Sequence, residues 1–168
     1  MNIPLTPLDG RYYSKVEPLV AYLSESALIK HRVIVEVEWL NYLCGLISKP
    51  ISSEISSNLD KLVSGFSESD CEEVREIEKT VNHDVKAVEM FINGKLTSWG
   101  QESLIPFVHF GRTSEDINNV AYALMLKGAR DNVLLPALRK LASNLGEMAK
   151  SSADKPMLSR THGQPATP

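Results

Sequence analysis

Four short stretches gather side chains that can grip anions or move protons. Leu8-Asp9-Gly10-Arg11-Tyr12 would present a guanidinium and a phenol side by side across a glycine turn. Arg is the side chain best suited to a bidentate grip on phosphate or carboxylate, although an exposed turn with a surface ion pair would read the same way. Asn82-His83-Asp84 places an imidazole beside a carboxylate at an expected helix start, where backbone N–H groups lack partners. The alternative is an Asn cap followed by a solvated His and Asp; as helix neighbours, the two need not bond to each other. In His109-Phe110-Gly111-Arg112-Thr113-Ser114-Glu115-Asp116 a glycine loop runs into a helix, and the Thr113 and Ser114 hydroxyls join free N–H groups where the helix dipole favours an anion. Simple capping by Thr113 or Ser114 accounts for the same residues. The fourth stretch, SRTHGQPATP from Ser159 to Pro168, is a hydrophilic loop in which Gly163 lets a ligand approach His162, a residue type able to exchange a proton near neutral pH. His162 can equally be a solvated bystander.

Composition removes several kinds of chemistry. No pair of histidines has zinc-site spacing and there is neither a GxGxxG nor a Walker pattern, so no metal and no cofactor are expected. The net charge of -3, without a basic block, argues against nucleic acid as a partner. The longest charge-free stretches, Trp39 to Ser48 and Ile117 to Leu126, have 10 residues each, about half of what a membrane span needs. Two cysteines, Cys44 and Cys71, are too few for a disulfide scaffold and are expected to be buried thiols in a reducing compartment. The first ten residues lack the basic start and apolar run of a secretory signal, so the expected location is the cytoplasm.

The elements that must position the clusters read as helices. From Leu19 to Ile47, Val35, Val37 and Trp39 alternate with charges as in a strand, but Leu28, Val35, Trp39, Leu43 and Leu46 suit a helix, and no Gly or Pro interrupts Leu19 to Cys44. Lys49-Pro50 closes it. Ile51, Ile55, Leu59, Leu62 and Phe66 then share a face of a shorter helix ending near Gly65. Ser67 reads as an N-cap for a stripe of Val74, Ile77 and Val81, and Asn82 as a second N-cap for a helix through Phe91, before a loop-rich passage from Asn93-Gly94 to Pro106. From Ser114 the apolar period runs through Ile117, Val120, Ala121 and Leu124, and on to Leu134, Leu138, Leu141, Leu145 and Met148, with an interruption expected near Asn132 because of Pro136. At a rise of about 1.5 Å per residue this span approaches 60 Å and needs partners beyond the short helices before it.

The strings LDGRY, NHDVKAVE, TSEDINN and SRTHGQPATP, in this order along the whole chain, resemble the adenylosuccinate lyases of the fumarase and aspartase superfamily. The resemblance implies an all-α fold, with a small helical N-terminal domain at 1–111 and the start of a central helical bundle at 112–168. It implies β-elimination of fumarate from succinylated purine intermediates, a purine nucleotide substrate and a homotetramer. Arg11 and Tyr12 would then hold the nucleotide, Asn82, His83 and Asp84 would line the same pocket, Thr113 and Ser114 would take a succinyl carboxylate, and His162 would be the general acid. The family's base is a serine on a flexible loop; no such signature occurs before Pro168, so the 168-residue chain by itself is expected to be inactive. Two other readings are a different fumarate-releasing lyase of the superfamily, against which DGRY and NHDV speak, and a noncatalytic helical module that binds a protein through its apolar stripe.

Overall fold

A computed structural model describes residues 4–166. Thr167 and Pro168 of the last motif lie outside the described residues. Among the described residues the regular structure is helical except for one short hairpin, and the chain divides into two compact units, Met1–Ala129 and Arg130–Pro168.

In the first unit, α1 (Tyr13–Val16), a 3-10 turn (Glu17–Leu19) and α2 (Val20–Leu23) lead to α3 (Glu25–Leu46). The continuous element expected over Leu19 to Ile47 is thus broken at Ser24. Its backbone is extended, with ψ at 166°, and its hydroxyl accepts the Ala27 N–H at 3.1 Å, capping α3. The strand-like alternation is carried by a helix. The core face of α3 also differs from the expected one: Ile29, Val33, Val37, Leu40, Leu43 and Cys44 are buried, whereas Leu46 is exposed and Leu28, Val35 and Trp39 are half-buried. The reason is that α3 is packed from several sides, by α2 and by the four helices described next, so apolar side chains occur all round it and no single stripe marks its interior.

α4 (Ser53–Ser64) begins at Ser52, whose hydroxyl accepts the Ile55 N–H, and seats Ile55 and Leu59 in the core with Ile51, Leu62 and Phe66 beside them, as its periodicity predicts. α5 (Glu68–Val81) opens on Ser67 in a capping box with Asp70 and buries Val74, with Ile77 and Val81 packed against the core. Cys44 and Cys71 are both buried free thiols, held protonated by desolvation. Asn82 is not the expected N-cap. It ends α5 in the left-handed region (φ 51°, ψ 39°), its N–H returning to Glu78 O, and the extended His83 caps α6 (Asp84–Ser98) in its place. α6 also runs straight through Asn93-Gly94, where a loop was expected. Val85, Ala87, Val88, Phe91, Ile92 and Leu96 are buried along it, and their packing outweighs a glycine penalty of about 1 kcal/mol.

A 3-10 stretch (Glu102–Phe107) containing Pro106 leads to α7 (Ser114–Ala129), which buries Ile117, Ala121, Met125 and Ala129 and packs on α2 and α3. Gly128 makes the α2 approach possible: a Cβ there would lie 2.6 Å from the Tyr22 ring. Val120 and Leu124, expected on the buried stripe, are exposed.

The second unit opens with the anticipated interruption, a π-helical turn at Arg130–Leu134, followed by α8 (Leu135–Ser151). Pro136 sits in the first turn of α8, where a missing N–H costs little. Leu134, Leu138, Leu141, Leu145 and Met148 are each 48–65% exposed. The last motif is not an open loop: β1 (Arg160–Thr161) and β2 (Gln164–Pro165) pair antiparallel around His162 and Gly163.

Candidate active site

The α5–α6 junction and the start of α7 meet at one cleft. Its volume is about 380 Å³ and it is lined by Val81, His83, Val85, Lys86, Glu89, His109 and Ser114. Two of the four motifs, 82–84 and 109–116, therefore contribute to a common concavity. His83 caps α6 by accepting the Lys86 N–H at Nδ1, 3.2 Å away. An acceptor at Nδ1 leaves the proton of the neutral ring on Nε2, so Nε2 is the ring atom available to a ligand. Lys86 in turn pairs with Glu89 at 2.7 Å.

Asp84 faces elsewhere. Its carboxylate receives Arg32 Nη2 at 2.5 Å and the Val85 N–H at 2.8 Å, while Arg32 Nε donates to Asn118 Oδ1 at 2.8 Å. This buried arginine ties α3 to α6 and α7. Burial pushes the Asp84 carboxyl up, but the Val85 N–H, Arg32 and His83 together hold it below the usual carboxylate range. A depressed folded-state pKa adds stability that is complete above the unfolded value of about 3.9 and is lost as pH falls through the folded value. Wild-type protein is therefore expected to be more stable to urea than Asp84→Asn at pH 7, with the gap narrowing below about pH 4; a gap independent of pH would separate Asp84 from this role.

Of the two hydroxyls at the start of α7, only Ser114 lines the cleft. Thr113 is occupied in capping: its N–H and hydroxyl reach Asp116 Oδ2 at 2.8 and 3.0 Å, and the Thr113 N–H holds that carboxyl below its ordinary range. Arg11 and Tyr12 do not line the cleft. The Arg11 guanidinium stands 5.4 Å from the Tyr12 ring on an exposed segment. Beside that segment is a mainly apolar groove of about 350 Å³ lined by Leu8, Asp9, Tyr13, Val16 and Val20 among others, with few groups for chemistry. Among the described residues no cluster of three His, Cys, Asp or Glu side chains is placed to hold a metal ion, and no helix is long and apolar enough to cross a membrane.

In the second unit His162 (φ 52°) and Gly163 (φ 74°) form the two-residue turn of the hairpin, both left-handed as the primed hairpin turns require. The Ala166 N–H closes the base of the hairpin on Ser159 O at 2.8 Å. His162 is exposed at the tip.

Three residues of this region were given no role of their own by the sequence. His109 stood in the third cluster without a role; in the structure it lines the cleft from a left-handed backbone (φ 58°) and bonds through Nδ1 to Glu36 Oε1 at 2.5 Å. Glu36 is fully buried. Arg32 and Glu36 fall at helical spacing among Ile29, Val33, Val37 and Leu40, and charges on a buried helical face were the available clue.

The family model described as lyase matches residues 10–168. Over 98% of its length the chain is similar to curated adenylosuccinate lyases: 47% identical to that of Haemophilus influenzae, 46% to that of Escherichia coli K12 and 44% to that of Vibrio cholerae. The chain spans 37% of the length of each of these relatives. Helical architecture and a family match over all but the first nine residues agree, and the chain belongs to the lyase family.

Proposed function

We propose that this chain works in an adenylosuccinate lyase, which eliminates fumarate from adenylosuccinate to give AMP and from the succinylated imidazole carboxamide ribotide of purine biosynthesis. The observation that supports it most is the convergence of His83 and Ser114, from two separate motifs, on one cleft beside His109 and Lys86. In the elimination a base removes the proton from the succinyl carbon, that C–H pair becomes the C=C of fumarate, and the C–N pair stays with the purine nitrogen, which takes a proton. His162 is proposed as the donor of that proton. Ser114, with Thr113 shaping the helix end, would receive a succinyl carboxylate, whose charge grows as the adjacent carbon loses its proton. Arg11 and Tyr12 would hold the nucleotide end, with Asn82 and His83 along the pocket. Asp84, paired with Arg32, would hold together the helices that carry the pocket. We further propose a domain boundary at 111/112, with 112–168 belonging to a central bundle, and a cytoplasmic homotetramer in which the exposed leucines of α8 are covered.

The test is fumarate release from adenylosuccinate by a full-length enzyme carrying this sequence, with and without Ser114→Ala. The wild type is expected to be active. Ser114→Ala is expected to weaken fumarate and adenylosuccinate about 5–30-fold, as loss of a hydrogen bond to a charged group does, and AMP much less. Equal weakening of fumarate and AMP would take the carboxylate away from Ser114, and a wild type that releases no fumarate would remove the proposed activity.

A further inference from the structure

Glu36 lies in the middle of α3, 73 residues before His109, with no exposed surface. Its Oε1 meets His109 Nδ1, and its buried Oε2 has no hydrogen-bond partner. A buried acid held this way is poor value for stability, since a well-packed apolar side chain of similar size commonly does as well or better. A non-glycine residue in the left-handed region is a second cost, and such residues concentrate where a side chain must be aimed. We infer that Glu36 is a positioning residue that fixes the ring of His109, occupying Nδ1 so that Nε2 is offered to the cleft as a hydrogen-bond donor for an anionic oxygen of the substrate.

The proton arithmetic supports a donor. A buried acid–imidazole pair favours zero net charge, which means two protons on the pair. One lies between Oε1 and Nδ1, whichever atom owns it, and the other belongs on Nε2, which faces the cleft, and not on Oε2, where a buried O–H would have no acceptor. Burial pushes the Glu36 carboxyl up; His109 pulls it down and the neighbouring Glu89 adds to the rise, and the net upward shift disfavours a lone buried carboxylate. Around the ring stand His83, Lys86 and Glu89 across the cleft, with Arg112 and Asp116 on the following turn. Only the effect on turnover rests on the proposed elimination; the state of the ring does not.

In the full-length enzyme Glu36→Leu is expected to lower kcat/KM for adenylosuccinate at least about 10-fold. Glu36→Gln, whose amide N–H can donate to Nδ1 and keep the proton on Nε2, is expected to stay within about 3-fold of wild type. In a His109→Ala background, Glu36→Leu should add nothing, because its effect passes through the ring. Nitrogen-15 spectra of histidine-labelled protein should show His109 protonated at Nε2 in wild type and Glu36→Gln, and a mixture of tautomers in Glu36→Leu. Additive losses in the double variant, an unchanged His109 spectrum in Glu36→Leu, or a Glu36→Gln variant of normal helicity that is as impaired as His109→Ala would each overturn the inference. If Glu36→Leu does not fold, the Gln variant and its spectrum decide. If the wild type releases no fumarate, the proposed activity fails while the imidazole spectra still decide whether Glu36 sets the ring.

Discussion

His162→Ala in a full-length enzyme carrying this sequence is expected to lower turnover about 100-fold or more, with KM changed only a few-fold. General acid catalysis commonly contributes a factor of about 100 to 10,000, and it acts in the transition state, whereas substrate is held by many groups that the change leaves alone. The structure adds a reason why the loss should be clean. His162 is exposed at the tip of a two-residue hairpin turn, so truncating its side chain removes little packing. Alanine is less at ease than histidine with a positive φ, so His162→Asn, which tolerates that region, is the companion variant. Both should be slow. Steady-state fumarate release together with circular dichroism checks this, and turnover within about 3-fold of wild type for either variant would take the proton donor away from His162.

Phe91→Ala is expected to cost about 3–5 kcal/mol of folding stability, enough to leave little of a typical domain's margin. Phe91 has no exposed surface, its ring meets Phe66 edge-on at 5.9 Å between centroids, and the Lys95 ammonium lies 4.6 Å from the ring centre. Removing the ring leaves a cavity among side chains of α3, α5 and α6, whose backbones are already tied together by α3 packing and cannot collapse freely. Leu138→Ala on α8, in the 168-residue chain by itself where the subunits proposed to cover α8 are absent, is the contrast. That side chain is 59% exposed, and its loss should change stability by less than about 0.5 kcal/mol. Urea midpoints at constant slope for the two variants test the pair, and similar losses would mean that Leu138 is covered in solution.

How far the sequence spoke for itself depended on how one-sided each helix is. α4 and α5 each have a single neighbourly face, so the stripes Ile55-Leu59 and Val74-Ile77 lead directly to the core, and their serine caps mark where each begins. α3 is the opposite case: with partners on several sides its apolar residues carry no phase, and Leu46 is as greasy as Leu40 though only one is buried. Asn82 was misread because the same side chain serves both helix ends, accepting at an N-cap or tolerating the left-handed C-cap, and only the following residue's geometry decides. In the site, His83 and Ser114 were legible as residue types at helix starts. That they share a cleft was not, and neither was the Glu36–His109 bond, because both depend on α3, α6 and α7 coming together over long sequence separations.

The turn that leads from His109 into α7 is also built against a chromophore. Trp39 donates its indole N–H to Phe110 O at 3.0 Å, and the Arg112 guanidinium rests 3.7 Å from the centre of its ring. Both contacts belong to the four residues between the cleft histidine and Ser114, and indole emission responds to a cation on the ring and to the polarity around its N–H. The chain's other tryptophan, Trp99, lies at the end of α6. The loop therefore carries its own optical reporter, and replacing Trp99 with phenylalanine isolates a signal in which any shift of residues 109–113 registers as a change in the colour and intensity of Trp39 fluorescence.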